Sequence, residues 1–410
     1  MTTTINTIES GLFNVPAEVA TLRGRVADFL EKHVYPVERD LLAGGEEGTR
    51  ILTELEALAK QAGLWALGHP QNLGGGGLSM LDYAYVNEVI GRSEPATQVF
   101  GTTTLQTVLM MDAVATEEQR QRWILPSVAG ELRMAFAMTE PGVSSSDPTQ
   151  FTTNARLDGD SWVLNGRKWF ISAADRSAAT IVMCRTEGDD VPVHEAFSMI
   201  IVPRQTLGYN IVRDVEVMGM HGVMAGHFEI EFKDARVPAT SILGERGKGF
   251  QLAQRRLGPG RIFHCMRWLG ASQRAFDYLC QRANSRLLNG KPLAERQLIQ
   301  KFVFDSYQEI MASRLLVLNA AAKLDAGDEA RVELSSIKVH CASTVANVLD
   351  RAMQVYGAEG MSNLLPLEAM FREARFGRIV DGPDEAHIQR VAKRILRSYS
   401  NGDGWDFGEH

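Results

Sequence analysis

Cysteine is scarce. The 410 residues hold four, Cys184, Cys265, Cys280 and Cys341, and none stands near another in the chain. Without a C-x-x-C pair there is neither zinc-site spacing nor a disulfide framework, so the four are expected to be reduced, buried small hydrophobes and no metal is expected. Long apolar runs are missing too; with no stretch of roughly eighteen apolar residues, no membrane span is expected. Positive charge is not in excess either. Lys and Arg number 43 against 50 Asp and Glu, a formal net charge of -7 that argues against nucleic acid as a partner. The start, MTTTINTIES, lacks the basic and apolar regions of a secretion signal and the arginines of a transit peptide, so a cytoplasmic location is expected.

What is present is ordinary globular composition, 45% hydrophobic and 23% charged, in a chain long enough for two or three structural units. From about residue 15 to 130 the period is helical: in TLRGRVADFLEKHV, Leu22, Val26, Phe29 and Leu30 share one face. GGGG at 74–77 lacks the preceding strand and following G-K-[ST] of a phosphate loop and reads as a flexible turn between helices. Between about 131 and 243 the pattern alternates. Asp158-Gly159 and Asn165-Gly166 are turn dipeptides flanked by strand formers, and HFEIEF alternates apolar with acidic residues, which together predict a compact antiparallel β unit. From about 244 the helical period returns. Leu334, Ile337, Cys341, Val345, Val348 and Ala352 make one buried stripe, and four segments ending near Leu288, Gly327, Gly360 and Ser400 predict an antiparallel bundle. The expected fold is thus α+β, mainly α, with an N-terminal helical domain (1–130), a central antiparallel β domain (131–243), a C-terminal four-helix bundle (244–400) and a loosely attached polar tail (401–410). The basic residues Arg390, Lys393, Arg394 and Arg397 read as a solvated helix face, with contact to a phosphate or a partner subunit as the alternative.

Three stretches could carry chemistry. RIVDGPDEAHIQR, residues 378–390, holds Asp381, Asp384 and Glu385 around Gly382-Pro383. Proline at a first helical position followed by acids in the first turn is how many helices begin, and a catalytic carboxylate is the competing reading. MAFAMTEPGVSSSDPTQ ends a strand-like run in a serine-rich loop whose N–H groups and hydroxyls suit an anionic oxygen, though on these residues alone a capped turn is the favoured reading. KWFISA sets Trp169 and Phe170 beside Ser172, able to cover a flat ring or simply to fill a core.

Taken jointly and in order, FAMTEPGVSSSD, NGRKWFISA, HFEIEFKDARVPATSILGERGKGF, QVYGAEG and IVDGPDEAH resemble the acyl-CoA dehydrogenase family over nearly the whole chain. RLGPGRIFHCMR and VDGPDE are similar to the branch whose larger eukaryotic members carry a kinase-like domain ahead of the dehydrogenase, a domain not expected within these 410 residues. The resemblance implies FAD as cofactor and an acyl-CoA as substrate. It places Phe136, Met138 and Thr139 along the flavin ring, Phe170, Ile171 and Ser172 beside the isoalloxazine, and Ser145 and Ser146 near the pyrophosphate or the acyl-CoA. Arg286, four before Gly290, matches the arginine that pairs with FAD diphosphate across a dimer, and Gln297 joins it as a cofactor contact. Gln354, Gly357 and Ala358 match the adenine-binding segment, and Pro383 and Glu385 stand where a threonine and a glutamine often follow the base. Gly260, Arg261 and Gly382 fall in the substrate channel.

The family's glutamate base lies as far after its Gln-x-x-Gly as Asp381 lies after Gln354; the alternative base position of some members is occupied here by Gly260, which cannot take a proton. The resemblance therefore implies α,β-dehydrogenation with Asp381 as base, its carboxyl raised toward working pH by burial. It also implies an electron-transfer flavoprotein as acceptor and a homodimer or homotetramer. Aspartate is one methylene shorter than glutamate, and GVSSSD replaces the usual Gly-Ser-Asp. Aspartate at this position also occurs in nitroalkane oxidase, so a flavin oxidase of that type is the alternative activity, and a silent flavin-bearing scaffold the third.

Overall fold

The computed structural model describes residues 14–220 and 226–405; the start MTTTINTIES lies outside them. The chain divides into two compact units. One takes residues up to Arg39, Ser79–Ala96 and Gly260 onward; the other takes Asp40–Leu78 and Thr97–Pro259. The expected N-terminal helical segment is thereby shared: the helices Ala17–Phe29 and Met80–Ile90 fall in the first unit, and Gly45–Gln61 and the short helices after Thr97 fall in the second.

The second unit is built on an eight-stranded sheet: β1 (Met134–Ala137), β2 (Asn154–Asp158), β3 (Ser161–Ser172), β4 (Ala179–Arg185), β5 (Phe197–Pro203), β6 (Tyr209–Asp214), β7 (His227–Pro238) and β8 (Ile242–Leu243). Its order is β6-β7-β3-β2-β4-β5-β8, with β1 on β4. Neighbours along this path are antiparallel except β2–β4; β1 also runs parallel to β4, a mixed element in an otherwise antiparallel design. Asp158-Gly159 turns β2 into β3 as the dipeptide predicts, with Gly159 at φ +59. Asn165-Gly166 does not turn the chain. β3 runs on to pair with β7, and the dipeptide sits in a bulge, where a Cβ on Gly166 would stand 2.5 Å from Thr153 Oγ1. β4 and β5 are buried on both faces, which explains their unbroken apolar sequences. Val182, Cys184, Ile200 and Val202 face the core under β3 and β7, while Ile181, Met199 and Ile201 meet Met110, Met111, Trp123 and Ile124.

The GGGG segment is a turn between helices but not a flexible one. Gly76 N donates to Ala66 O and Gly77 N to His69 O, and a Cβ on Gly75 or Gly76 would stand 2.3 Å from His69 O or 2.7 Å from the Leu67 backbone. Glycine is needed there for close backbone approach, not for mobility.

The first unit is helical. Every member of the Leu334–Ala352 stripe is buried, and its helix, Arg331–Tyr356, packs against Gln297–Asp325, Leu367–Gly377 and Asp384–Asn401. The last expected segment is therefore two helices with a turn at Asp381 between them. Gly270, in the 37-residue helix Gly249–Ser285, lets that helix approach Met80–Ile90 closely: a Cβ there would lie 2.0 Å from Glu88 O. Glu88 is itself buried against Arg314 at 2.7 Å. The tail is attached as far as it is described. Gly402 closes the final helix in the left-handed region, and Asp403 N donates to Ser398 O; residues 406–410 of the expected loose tail lie outside the described residues. Cys184, Cys265 and Cys341 are free and buried, Cys280 free and half-buried. Among the described residues no helix is long and apolar enough to cross a membrane, and no group of three or more His, Cys, Asp or Glu could hold a metal ion.

Candidate active site

In the helical unit the candidate acids Asp381 and Asp384 lie on the turn between the helices Leu367–Gly377 and Asp384–Asn401. Asp381 takes φ +51, a left-handed conformation that aspartate tolerates better than most residues, and Gly382 follows at φ +101. A Cβ on Gly382 would press to 2.9 Å from His387 Nε2, so glycine is required there. The Asp381 carbonyl accepts from His387 Nε2 at 3.1 Å and from Arg261 Nε at 3.4 Å. Since that carbonyl only accepts, the His387 proton sits on Nε2. Burial, helped by the Arg261 charge, pushes this imidazole down to about 4, so it is neutral at neutral pH. Burial likewise pulls the Arg261 guanidinium below its ordinary value, against the opposing pull of Asp381.

The three acids of this turn separate by role. Asp384 is buried and ion-paired with Lys338 at 3.0 Å and Arg378 at 2.7 Å. It is an interior anchor rather than a surface complement to the helix dipole. Pro383 occupies the cap, with extended backbone, and Asp384 is the first helical residue, one position later than the sequence pattern predicts. Glu385 is exposed. The Asp381 side chain, 15% exposed, has Oδ2 3.3 Å from His264 Nε2. Arg261, Asp381, Gly382 and Pro383 thus lie together around one turn, and Gly260 immediately precedes Arg261 in its helix. Elsewhere in the unit Arg286, 54% exposed, stands 3.8 Å from Glu359, which also pairs with Arg282. Arg282 lies over Tyr356, next to Gly357 and Ala358, while Gln354 and Gln297 are exposed.

In the sheet unit, β1 leads into Met138 and Thr139, which lie beside the bulged end of β3. Thr139 Oγ1 donates to Trp169 O, and Trp169 N donates back to Thr139 O at 3.1 Å. The bulge holds Phe170 at φ +54 with its side chain 45% exposed, while Ile171 points into the core and Ser172 Oγ stands 3.1 Å from His227 Nδ1 on the surface. An exposed aromatic ring on strained backbone, with a hydroxyl two residues on, suits a flat polar heteroaromatic group. Phe136 packs under Arg256, whose guanidinium lies 4.2 Å from the ring centre. Ser145 Oγ accepts from Glu140 N at 3.4 Å, and Ser146 is exposed, bonded to Ser144.

Sequence reasoning missed what braces these segments. Lys168, fully buried, donates to Met138 O and to Glu140 Oε1, each at 2.8 Å. Burial pulls this ammonium below its ordinary value; burial would raise Glu140, but Lys168 and hydrogen bonds from Thr152 and Thr153 hold it lower. His264, His387 and Lys338 were also missed. Only His264 left a signal, three residues after Arg261 and so on the same helix face.

Three family models, the N-terminal, middle and C-terminal domains of acyl-CoA dehydrogenase, match residues 16–131, 135–235 and 247–396. The chain is 41% identical over 398 residues to the probable acyl-CoA dehydrogenase FadE2 of Mycobacterium tuberculosis, covering 94% of this chain and 97% of that protein. It is 38% identical to acyl-CoA dehydrogenase family member 11 of Gallus gallus over 92% of its own length, and spans 50% of that longer protein. Butyryl-CoA dehydrogenase from Megasphaera elsdenii superposes with a TM-score of 0.84 at 26% identity, over 94% of this chain and all of that one. With the helical and sheet units above, these matches establish that the chain belongs to the acyl-CoA dehydrogenase family, the FAD-dependent oxidoreductases of acyl-CoA thioesters.

Proposed function

We propose that this chain converts an acyl-CoA to its trans-2-enoyl-CoA, with Asp381 taking the α-proton. The observation that carries the reading is the separation of three acids within one turn. Asp384 is neutralised by Lys338 and Arg378, Glu385 faces solvent, and Asp381 is held on a sharp left-handed turn, largely shielded from water. A carboxylate in that state is the one suited to proton abstraction.

Bound FAD supplies the acceptor for the β-hydride at its N5. Phe136, Met138, Thr139, Phe170, Ile171 and Ser172 hold the flavin ring. The half-exposed Phe170 and the Thr139–Trp169 bond pair support this; Ile171, core-facing, can contribute only backbone. Ser145 and Ser146 serve the pyrophosphate and the CoA, and Gly260, Arg261 and Gly382 border the acyl group. Arg286, Gln297, Gln354, Gly357 and Ala358 serve the diphosphate and adenine half, with Arg286 acting on a neighbouring subunit's FAD, which requires at least a homodimer. Pro383 and Glu385 complete the cofactor side. Electrons leave to an electron-transfer flavoprotein, in cytoplasmic fatty-acid oxidation.

Aspartate in place of the family's glutamate also favours a second reading, a flavin oxidase of the nitroalkane type. Anaerobic titration with an acyl-CoA panel separates the two, because an oxidase of that kind leaves the flavin unbleached by every thioester. Within the same titration Asp381→Asn should retain FAD and bleach about two to four orders of magnitude more slowly; bleaching at nearly the native rate would sink the assignment.

A further inference from the structure

The Asp381 turn faces a histidine held from three sides. His264 Nε2 stands 3.3 Å from Asp381 Oδ2, its Nδ1 lies 2.5 Å from an Arg267 terminal nitrogen, and its ring stacks on Trp268 with centroids 5.5 Å apart and planes 18° from parallel. Trp268 is itself wedged, since a Cβ on Gly377 would reach 2.8 Å from its ring. A guanidinium has only donors, so Nδ1 is the acceptor toward Arg267. In the neutral imidazole the proton then sits on Nε2, the nitrogen that faces the Asp381 carboxylate. At 3.3 Å the two make a contact short of a formed hydrogen bond; such geometry commonly tightens when substrate binds.

We propose that His264 is the positioning residue for Asp381: its Nε2–H, fixed by Arg267 and kept in plane by Trp268, orients the aspartate side chain and favours its charged form. This rests on the reading of Asp381 as base. It also accounts for the shorter side chain, because an aspartate on a left-handed turn needs a lateral partner to set where its oxygens point. Arg261 on the same helix and Lys338 on Arg331–Tyr356 also act on the Asp381 charge, and Arg390 acts on Arg261 and His387. Glu94 and Glu373 act electrostatically on Arg267. These groups are common to all the variants below, so a difference between variants reports His264.

The test compares His264→Phe, His264→Gln and His264→Asn in the FAD-loaded enzyme, with flavin reduction by an acyl-CoA followed across pH. Phenylalanine keeps the stack and loses the donor; glutamine can place an N–H near the Nε2 position, and asparagine reaches only toward Arg267. The phenylalanine variant should lose about tenfold or more in kcat with little change in KM, and the acid limb of its kcat/KM profile should move up by about one pH unit. Glutamine should bring the limb back and asparagine should not. If the phenylalanine variant fails to hold FAD, the glutamine–asparagine difference decides. A native limb and kcat in His264→Phe, or glutamine and asparagine behaving alike, would overturn the proposal. Asp381→Asn runs alongside: an active Asp381→Asn removes the base assignment and this inference with it, whereas an inactive one beside a native His264→Phe removes only the positioning role.

Discussion

Lys168→Met is the substitution whose consequence the structure fixes most tightly. Lys168 is fully buried, with Nζ 2.8 Å from both Met138 O and Glu140 Oε1 and 4.6 Å from the centre of the Phe151 ring. Methionine fills most of the volume and removes the charge. Glu140, 1% exposed, then keeps the donors of Thr152 and Thr153 but loses its counter-ion. Breaking a buried pair from one side costs about 3–5 kcal/mol, mostly the penalty of the stranded charge. The double variant Lys168→Met/Glu140→Gln, with no charge left to strand, should regain about half of that loss or more. The pH dependence has a definite sign. Glu140 is held below its ordinary value, so its contribution is fully present above the unfolded carboxyl value and lost as pH falls through the folded one; the gap between native and Lys168→Met should close on acidification. Urea unfolding followed by tryptophan fluorescence at pH 7 and near pH 4, with FAD content measured at each, checks this. The clamp also ties Met138 to β3, so FAD retention should fall with stability. A variant within about 1 kcal/mol of native at pH 7, or a gap that widens in acid, would refute the reasoning.

Two other substitutions test the helical unit. Glu373 is pushed up to about 8 by burial and by its neighbour Glu94, with Arg267 opposing, so the folded state binds a proton that the unfolded state has released between about pH 4.5 and 8. Stability should therefore decline as pH rises across that window, and Glu373→Gln, leaving Glu94 and Arg267 as a one-to-one pair, should be more stable than native at pH 8 by roughly 1 kcal/mol or more in thermal or urea unfolding. Gly270→Ala should destabilise by roughly 2 kcal/mol or more, because its Cβ would stand 2.0 Å from Glu88 O and the two helices would have to part; a melting temperature unchanged by this substitution would contradict the close approach.

How much of this could be read in the chain depended on whether a feature is local. The Leu334–Ala352 stripe was legible because a 3.6-residue period is written in consecutive turns, and Asp158-Gly159 because its turn lies between its own strands. Asn165-Gly166 carries the same kind of signal and misleads, since β7, more than sixty residues later, draws β3 straight through it. GGGG could be rejected as a phosphate loop from its flanks, yet its rigidity depends on how closely the His69 and Leu67 backbones approach. Asp381, Asp384 and Glu385 are indistinguishable acids in sequence. Lys338, 46 residues from Asp384, and Arg261, 120 residues from Asp381, are what tell two of them apart.

The central claim is that Asp381 removes the α-proton, and the most direct test is the α-deuterium isotope effect on flavin reduction in an anaerobic single turnover. The native enzyme should reduce its flavin more slowly with α,α-dideuterated acyl-CoA than with the protiated substrate, and Asp381→Asn should bind FAD and acyl-CoA yet reduce the flavin slower by about two to four orders of magnitude. Flavin reduction by Asp381→Asn at close to the native rate, with the same isotope effect, would show that another group takes the proton.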